Sequence, residues 1–333
     1  MKLRTLHFLT TVITTASSFL FPKDPFTQPH FADGPGDGTL VYLDEGALFR
    51  TSKSLVDNLA FQKFILPSRP IRVWLPPSYR NQPTKRYPVI YCHDGQNAIN
   101  DEESWTGHSW RLGGALTDLI RRSKSCKDDK DCAKLREPIV VLIDSIAEDF
   151  LMPGVRRRHL EYGDGPIGEA YTDAIVSNLK PRIDSQFRTL TGVNDTLSLG
   201  SSLGGQVSFS LFLKYPEVFG GAAGLSPCFQ PKLLSDVATE GAKKLRGKRI
   251  YMDNGGDSED IRVPLLDPLD HLPNFNPGYF WLDTQLQPSI DAMRFALNFH
   301  NLPFEYKRYP GGRHNEREWA RRIDKALLFL LKY

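Results

Sequence analysis

The sequence predicts an α/β fold built on a mostly parallel sheet, and three observations carry that expectation. Apolar runs such as residues 87–92 (YPVIYC) and 138–143 (PIVVLI) are nearly unbroken, as in strands buried on both faces. Segments with helical apolar spacing lie between such runs. The two kinds alternate along the chain, which places helices on both faces of a central sheet.

The elements follow in order. Residues 39–43 and 71–75 are strand-like, and Pro76-Pro77 stops the second. These two are expected to form an antiparallel edge. Buried strands follow at 87–92, 138–143, 196–199 and 221–225, with others at 249–252 and 304–309. Helical patterns occupy 107–123, 168–187, 206–215, 287–301 and 315–331. The stretch 261–280 is rich in Pro, Asp and Asn and lacks helical periodicity. It is expected to belong to an inserted loop of about residues 257–281, and loops of that length tend to serve function.

Composition narrows the class. Among 333 residues, 40% are hydrophobic and 24% charged, which excludes a disordered or fibrous chain. The net charge of +3 gives no concentrated basic field, so no nucleic-acid partner is expected. Residues 1–18 open with Lys2 and Arg4, continue through a short Thr-diluted apolar stretch and end in small residues. That order predicts a removable secretion signal and not a membrane span. Secretion, or the lumen of the secretory pathway, is the expected location; an organellar or cytoplasmic one follows if these residues are no signal. Residues 19–38 form an extended lead-in, and 39–333 a single catalytic domain. Cys126 and Cys132 flank a highly solvated run and are expected to close a small disulfide. Asn194-Asp195-Thr196 is a glycosylation sequon. Cys92 and Cys228 lie in apolar contexts and are expected to be buried thiols. No second Cys/His pair has ligand spacing, so no metal is expected.

The chemistry centres on Gly200-Ser201-Ser202-Leu203-Gly204, a Gly-x-Ser-x-Gly turn between a strand and a helix. Such a turn lifts Ser202 above the carboxyl ends of the strands as a nucleophile. The next amide, that of Leu203, points toward a developing oxyanion. A hydroxyl needs a base, and His314 lies on a Gly-rich loop after the last strand, in the chain order nucleophile, acid, base. The acid should follow strand 249–252. Asp257, Glu259, Asp260 and Asp283 qualify. Asp283 is preferred because it stands near a helix start, where free N–H groups hold a carboxylate; Asp257 and Asp260 are its rivals. Asp253 is expected to remain in the strand. The second oxyanion donor should follow strand 87–92, where Gly95 frees the turn and the Gln96 amide is well placed. His93 precedes Ser202 and is in the wrong order for a base. Trp105, Trp110 and Trp281 flank the predicted cleft and are candidates to stack an aromatic or sugar group.

These blocks, with RYPVIYCHDGQN (86–97), RRRHLEYGDG (156–165), YPEVFGGAAGLSPCF (215–229) and GGRHNEREWARR (311–322), resemble the putative-esterase family of α/β-hydrolases. That family includes enterochelin esterases, feruloyl esterases, S-formylglutathione hydrolases and mycolyltransferases, and the resemblance spans about residues 38–331. It implies an α/β-hydrolase fold, Ser202 as nucleophile, His314 as base, and the Gln96 and Leu203 amides as oxyanion hole. It also sets Arg158, Glu161 and Tyr162 beside the active site, where an Arg–Glu pair is the structural alternative. Family members reach a Leu-Asp soon after a glycine turn; here Leu282-Asp283 arrives only after the insertion. The implied activity is hydrolysis of a small-molecule or glycan ester, for example a feruloyl or carbohydrate ester, without a cofactor. An acyltransferase using the same acyl-enzyme and a non-catalytic binding protein are the alternatives.

Overall fold

The computed structural model describes residues 31–43, 66–125, 134–146, 150–152, 155–256 and 282–332. These belong to one compact unit from Phe31 onward. The expectations for residues 1–30, for Cys126 and Cys132, and for Asp257, Glu259, Asp260 and Trp281 fall outside the described residues.

The strands are β1 (Thr39–Tyr42), β2 (Ile71–Leu75), β3 (Val89–His93), β4 (Ile139–Ile143), β5 (Phe150–Met152), β6 (Val155–Arg156), β7 (Thr196–Ser201), β8 (Gly221–Leu225), β9 (Arg249–Asn254) and β10 (Glu305–Arg308). The helices are α1 (Ser78–Asn81), α2 (Leu112–Ser125), α3 (Arg157–Glu161), α4 (Pro166–Ala174), α5 (Lys180–Gln186), α6 (Leu203–Lys214), α7 (Pro231–Lys244), α8 (Leu282–Phe299), α9 (Glu316–Ala320) and α10 (Ile323–Leu331). A π-helical segment, Ile175–Leu179, joins α4 to α5.

Eight strands form one sheet in the order β1-β2-β4-β3-β7-β8-β9-β10. β1 and β2 run antiparallel, and β2 pairs antiparallel with β4. The other pairings are parallel. The antiparallel edge and parallel body expected from the sequence are both present. Alternation within strands divides the core. Ile139, Val141 and Ile143 of β4 join the cluster that includes residues of α4, α6, α7 and α8. Val140 and Leu142 join the opposite cluster with α2 and α10. Both faces are therefore dry, which explains the unbroken apolar runs. Each such side chain contributes about 1.5–3 kcal/mol by leaving water.

Boundaries moved where local propensity misleads. α6 begins at Leu203 and not at Gln206, although Gly204 and Gly205 are poor helix formers. A Cβ on Gly205 would stand 2.8 Å from that of Pro227, so the glycine is kept for close packing. α8 begins at Leu282, five residues before the expected start, and carries Pro288 inside it. The expected last helix is broken into α9 and α10. At that break the buried Arg322 reaches Asp253 and Ser226. Among the described residues, no helix is long and apolar enough to cross a membrane.

Candidate active site

β7 delivers the chain to Ser202 at the carboxyl edge of the sheet, and α6 leaves immediately. Ser202 has φ 54° and ψ −124°, a conformation costly for a residue with a Cβ. Four hydrogen bonds hold it there. Its amide donates to the Leu225 carbonyl at 2.9 Å. Its carbonyl accepts from Gly205 at 3.0 Å, Gln206 at 3.2 Å and Cys228 at 3.0 Å. Gly200 allows this turn, because a Cβ there would stand 2.3 Å from the Gly204 carbonyl carbon. The strain is thus imposed by the surroundings, which fix the backbone at the tip of the elbow.

His314 is buried on the loop after β10. Its Nδ1 lies 2.8 Å from Oδ1 of Asp283, in the first turn of α8. An ionised carboxylate only accepts, so Nδ1 carries the proton and Nε2 is left as an acceptor. Gly255 makes room for the acid: a Cβ there would stand 2.2 Å from Asp283 Oδ2. Of the four carboxylates weighed from the sequence, Asp283 meets the histidine; Asp257, Glu259 and Asp260 lie outside the described residues. Asp253 remains in β9, fully buried and 3.3 Å from Arg322 Nε.

A second layer locates the imidazole. The Trp319 ring meets His314 edge-on, with centroids 5.0 Å apart. The Trp319 Nε1–H points to Ser226 Oγ at 3.4 Å. Ser226 directly follows the residue whose carbonyl holds the Ser202 amide. Elbow and histidine loop are therefore joined through two contacts. Trp110 packs edge-on against Trp319 and is fully buried. This corrects the expectation that Trp110 faces a ligand: it supports the tryptophan that supports His314.

The turn after β3 is a short 3-10 helix, Gly95–Asn97. Gln96 and Leu203 both stand in the first turn of a helix, where N–H groups lack intrahelical partners. The Gln96 side chain is tied to Ser145 by two hydrogen bonds, 2.9 and 3.0 Å, which anchors the turn to the end of β4. Asn97 Nδ2 donates to Glu316 at 3.2 Å, joining this turn to the residue two places beyond His314.

Other expectations resolve differently. Tyr162 is fully buried, and its hydroxyl accepts the Asp94 amide proton at 3.1 Å; it is not a surface for a ligand. Arg158 does not pair with Glu161. Glu161 is taken by Arg69 through two 2.8 Å contacts, and Arg158 takes Asp94. Trp105 is half-buried beneath the Arg158 guanidinium at 5.4 Å. His93 is buried between Tyr171 and Ser198, and burial pushes its imidazole down to about 3, so it is a neutral structural group. Cys92 is buried as expected, whereas Cys228 is half-buried and abuts the elbow. Asn194 is exposed in a short 3-10 turn. Sequence reasoning missed Asp94, Ser226, Glu316 and Arg322. The only local sign was polar residues next to motif glycines or to His314.

Glu316 also carries a stability prediction. Burial pushes its carboxyl up to about 7. The folded state therefore holds this proton more tightly than the unfolded chain, whose value is about 4.3. The resulting stabilisation is complete below that value and is lost as pH rises through about 7. Urea denaturation of Glu316→Gln should show its stability gaining on wild type by about 1–3 kcal/mol between about pH 5 and pH 7.5. A pH-independent difference would contradict this.

A family model described as putative esterase matches residues 67–330, about four-fifths of the chain. The chain belongs to the putative-esterase family. It is an esterase, a carboxylic-ester hydrolase. No curated protein matches the sequence of the esterase directly. Solved structures resemble its fold. A ferulic acid esterase superposes with TM-score 0.59 at 16% identity, covering 88% of this chain and 98% of its own. The enterobactin esterase of Shigella flexneri gives 0.53 at 19%, with 79% of this chain and 56% of its own covered. A CE1 ferulic acid esterase from Anaeromyces mucronatus gives 0.53 at 14%, covering 92% and 93%. At such identities these likenesses establish the α/β-hydrolase fold.

Proposed function

We propose that the esterase works through an acyl-enzyme on Ser202. His314 removes the Ser202 proton as the hydroxyl attacks the ester carbonyl. The amides of Gln96 and Leu203 receive the oxyanion, and Asp283 orients and stabilises the imidazolium. His314 then protonates the leaving alcohol, and a water activated by the same imidazole releases the acid. The observation that carries this reading is the strained Ser202, held by four hydrogen bonds on the same sheet edge as the buried His314–Asp283 pair.

For the substrate, we propose an ester with an aromatic acyl group, such as a feruloyl ester. The half-buried Trp105 beside Arg158 supports this, as do the ferulic acid esterases among the similar folds. Purified protein and Ser202→Ala should be run on a panel of aryl, acyl-chain and feruloyl esters. Feruloyl and aryl esters are expected to turn over fastest, with Ser202→Ala at background. Equal rates for both proteins on every ester would overturn the mechanism; a clear preference for aliphatic chains would overturn the substrate class.

We further propose that the protein is secreted and that Cys126 and Cys132 are paired, on the strength of the signal-like order of residues 1–18 and the polar run between the cysteines. Mass mapping without reductant should yield a linked peptide. Two free thiols in secreted material would contradict the pairing.

A further inference from the structure

We infer that Arg158 and Asp94 are positioning residues of the oxyanion hole, their ion pair setting the distance between its two amides. This rests on the acyl-enzyme reading above.

The two proposed donors come from separate parts of the chain. Gln96 lies on the turn after β3, and Leu203 on the first turn of α6. An oxyanion is stabilised only if both N–H groups converge on one point, so something must hold the turn against the helix. Asp94 is placed to do it. It is left-handed at φ 56°, and its carbonyl accepts the Asn97 amide at 2.9 Å, closing the Gln96 turn. Its carboxylate lies on the other wall: a Cβ on Gly204 would stand 2.9 Å from Oδ2. A single buried side chain therefore touches the residue after Leu203 while its backbone carries the Gln96 turn.

A carboxylate at that position would by itself repel a developing oxyanion. Arg158 answers this with a fork: Nε donates to Oδ1 at 2.8 Å and Nη2 to Oδ2 at 2.7 Å. The guanidinium is held in turn over the Tyr162 ring at 5.1 Å and the Trp105 ring at 5.4 Å. Tyr162 also accepts the Asp94 amide proton. Turn, carboxylate and guanidinium are thus fixed as a unit. A planar bidentate fork of this kind is not reproduced by lysine, whose ammonium is a point charge.

The experiment compares kcat, KM and inhibition by phenylboronic acid, which forms a tetrahedral adduct with a reactive serine, in wild type, Arg158→Met, Arg158→Lys, Asp94→Asn and Ser202→Ala. Arg158→Met should lose about 100-fold in kcat, as when one oxyanion donor is displaced. KM should stay near wild type, and boronate affinity should fall in proportion to kcat. Arg158→Lys should recover part of the loss. The double variant Asp94→Asn/Arg158→Met should be no worse than the poorer single one. Should Arg158→Met not fold, the nearly isosteric Asp94→Asn carries the same criteria. Wild-type kcat and boronate affinity in the folded variants would overturn the inference. So would a loss confined to KM, since Arg158 would then bind substrate. Ser202→Ala separates the two levels. If it keeps activity, the acyl-enzyme reading fails; if it is inert while Arg158→Met and Asp94→Asn are normal, the positioning inference alone fails.

Discussion

Replacing Ser202 by alanine is expected to lower kcat by about 10⁶-fold, the scale seen when a serine nucleophile is removed elsewhere. Ser202 sits at φ 54° with its backbone amide and carbonyl fully engaged, so only its hydroxyl is free to vary between the two proteins. Alanine has the same Cβ and meets the same backbone strain. The variant should therefore fold with stability within about 1 kcal/mol of wild type. Some acceleration over water should survive, because the Gln96 and Leu203 amides still favour a tetrahedral intermediate. Steady-state rates on an aryl ester, with thermal melting as control, make the comparison. A folded Ser202→Ala that retains turnover near wild type would exclude the nucleophile.

Asp283→Asn comes next in size, with an expected loss of about 10⁴-fold in kcat. The carboxylate Oδ1 lies 2.8 Å from His314 Nδ1 in a buried setting. An asparagine that presents its NH₂ there donates to Nδ1 and leaves the imidazole proton on Nε2, the nitrogen that must accept from Ser202. It also removes the negative charge that stabilises the imidazolium. The side chain keeps its shape, so the contact with Gly255 survives and folding should not suffer. Kinetics of Asp283→Asn beside Asp257→Asn and Asp260→Asn test the choice among the three. Near-normal Asp283→Asn with a collapse in Asp257→Asn or Asp260→Asn would show that the acid lies in the insertion.

Much of the frame could be read from the chain because burial leaves a mark on local sequence. β4 is apolar at every position since both faces are covered, and β8, buried throughout, follows the same logic. The elbow was legible because its glycines obey a short-range steric demand: Gly200 and Gly204 meet each other. Helix starts were less legible. α8 opens at Leu282 with Pro288 inside it, against the local preference for proline at a helix start. This five-residue shift is what places Asp283 in a first turn.

The pairings that build the site had no local signal. Arg158 and Asp94 are 64 residues apart, and Asn97 and Glu316 are 219 apart. Asp94 and Asn97 follow β3, whereas Arg158 lies on α3 and Glu316 opens α9, so each contact is made only once the fold brings distant segments together. Trp110 shows the converse error. A tryptophan near a cleft reads as a ligand platform, yet its whole surface is spent on packing. Aromatic identity alone cannot separate these roles, because the payload of buried area is the same in both.

The proposed acyl-enzyme requires a covalent bond to one serine. Incubation with a fluorophosphonate probe, followed by digestion and mass mapping, tests it most directly. One equivalent of label should be found on Ser202, and Ser202→Ala should take up none. Equal labelling of the wild type and Ser202→Ala, or a label mapped to Ser201 instead, would contradict it.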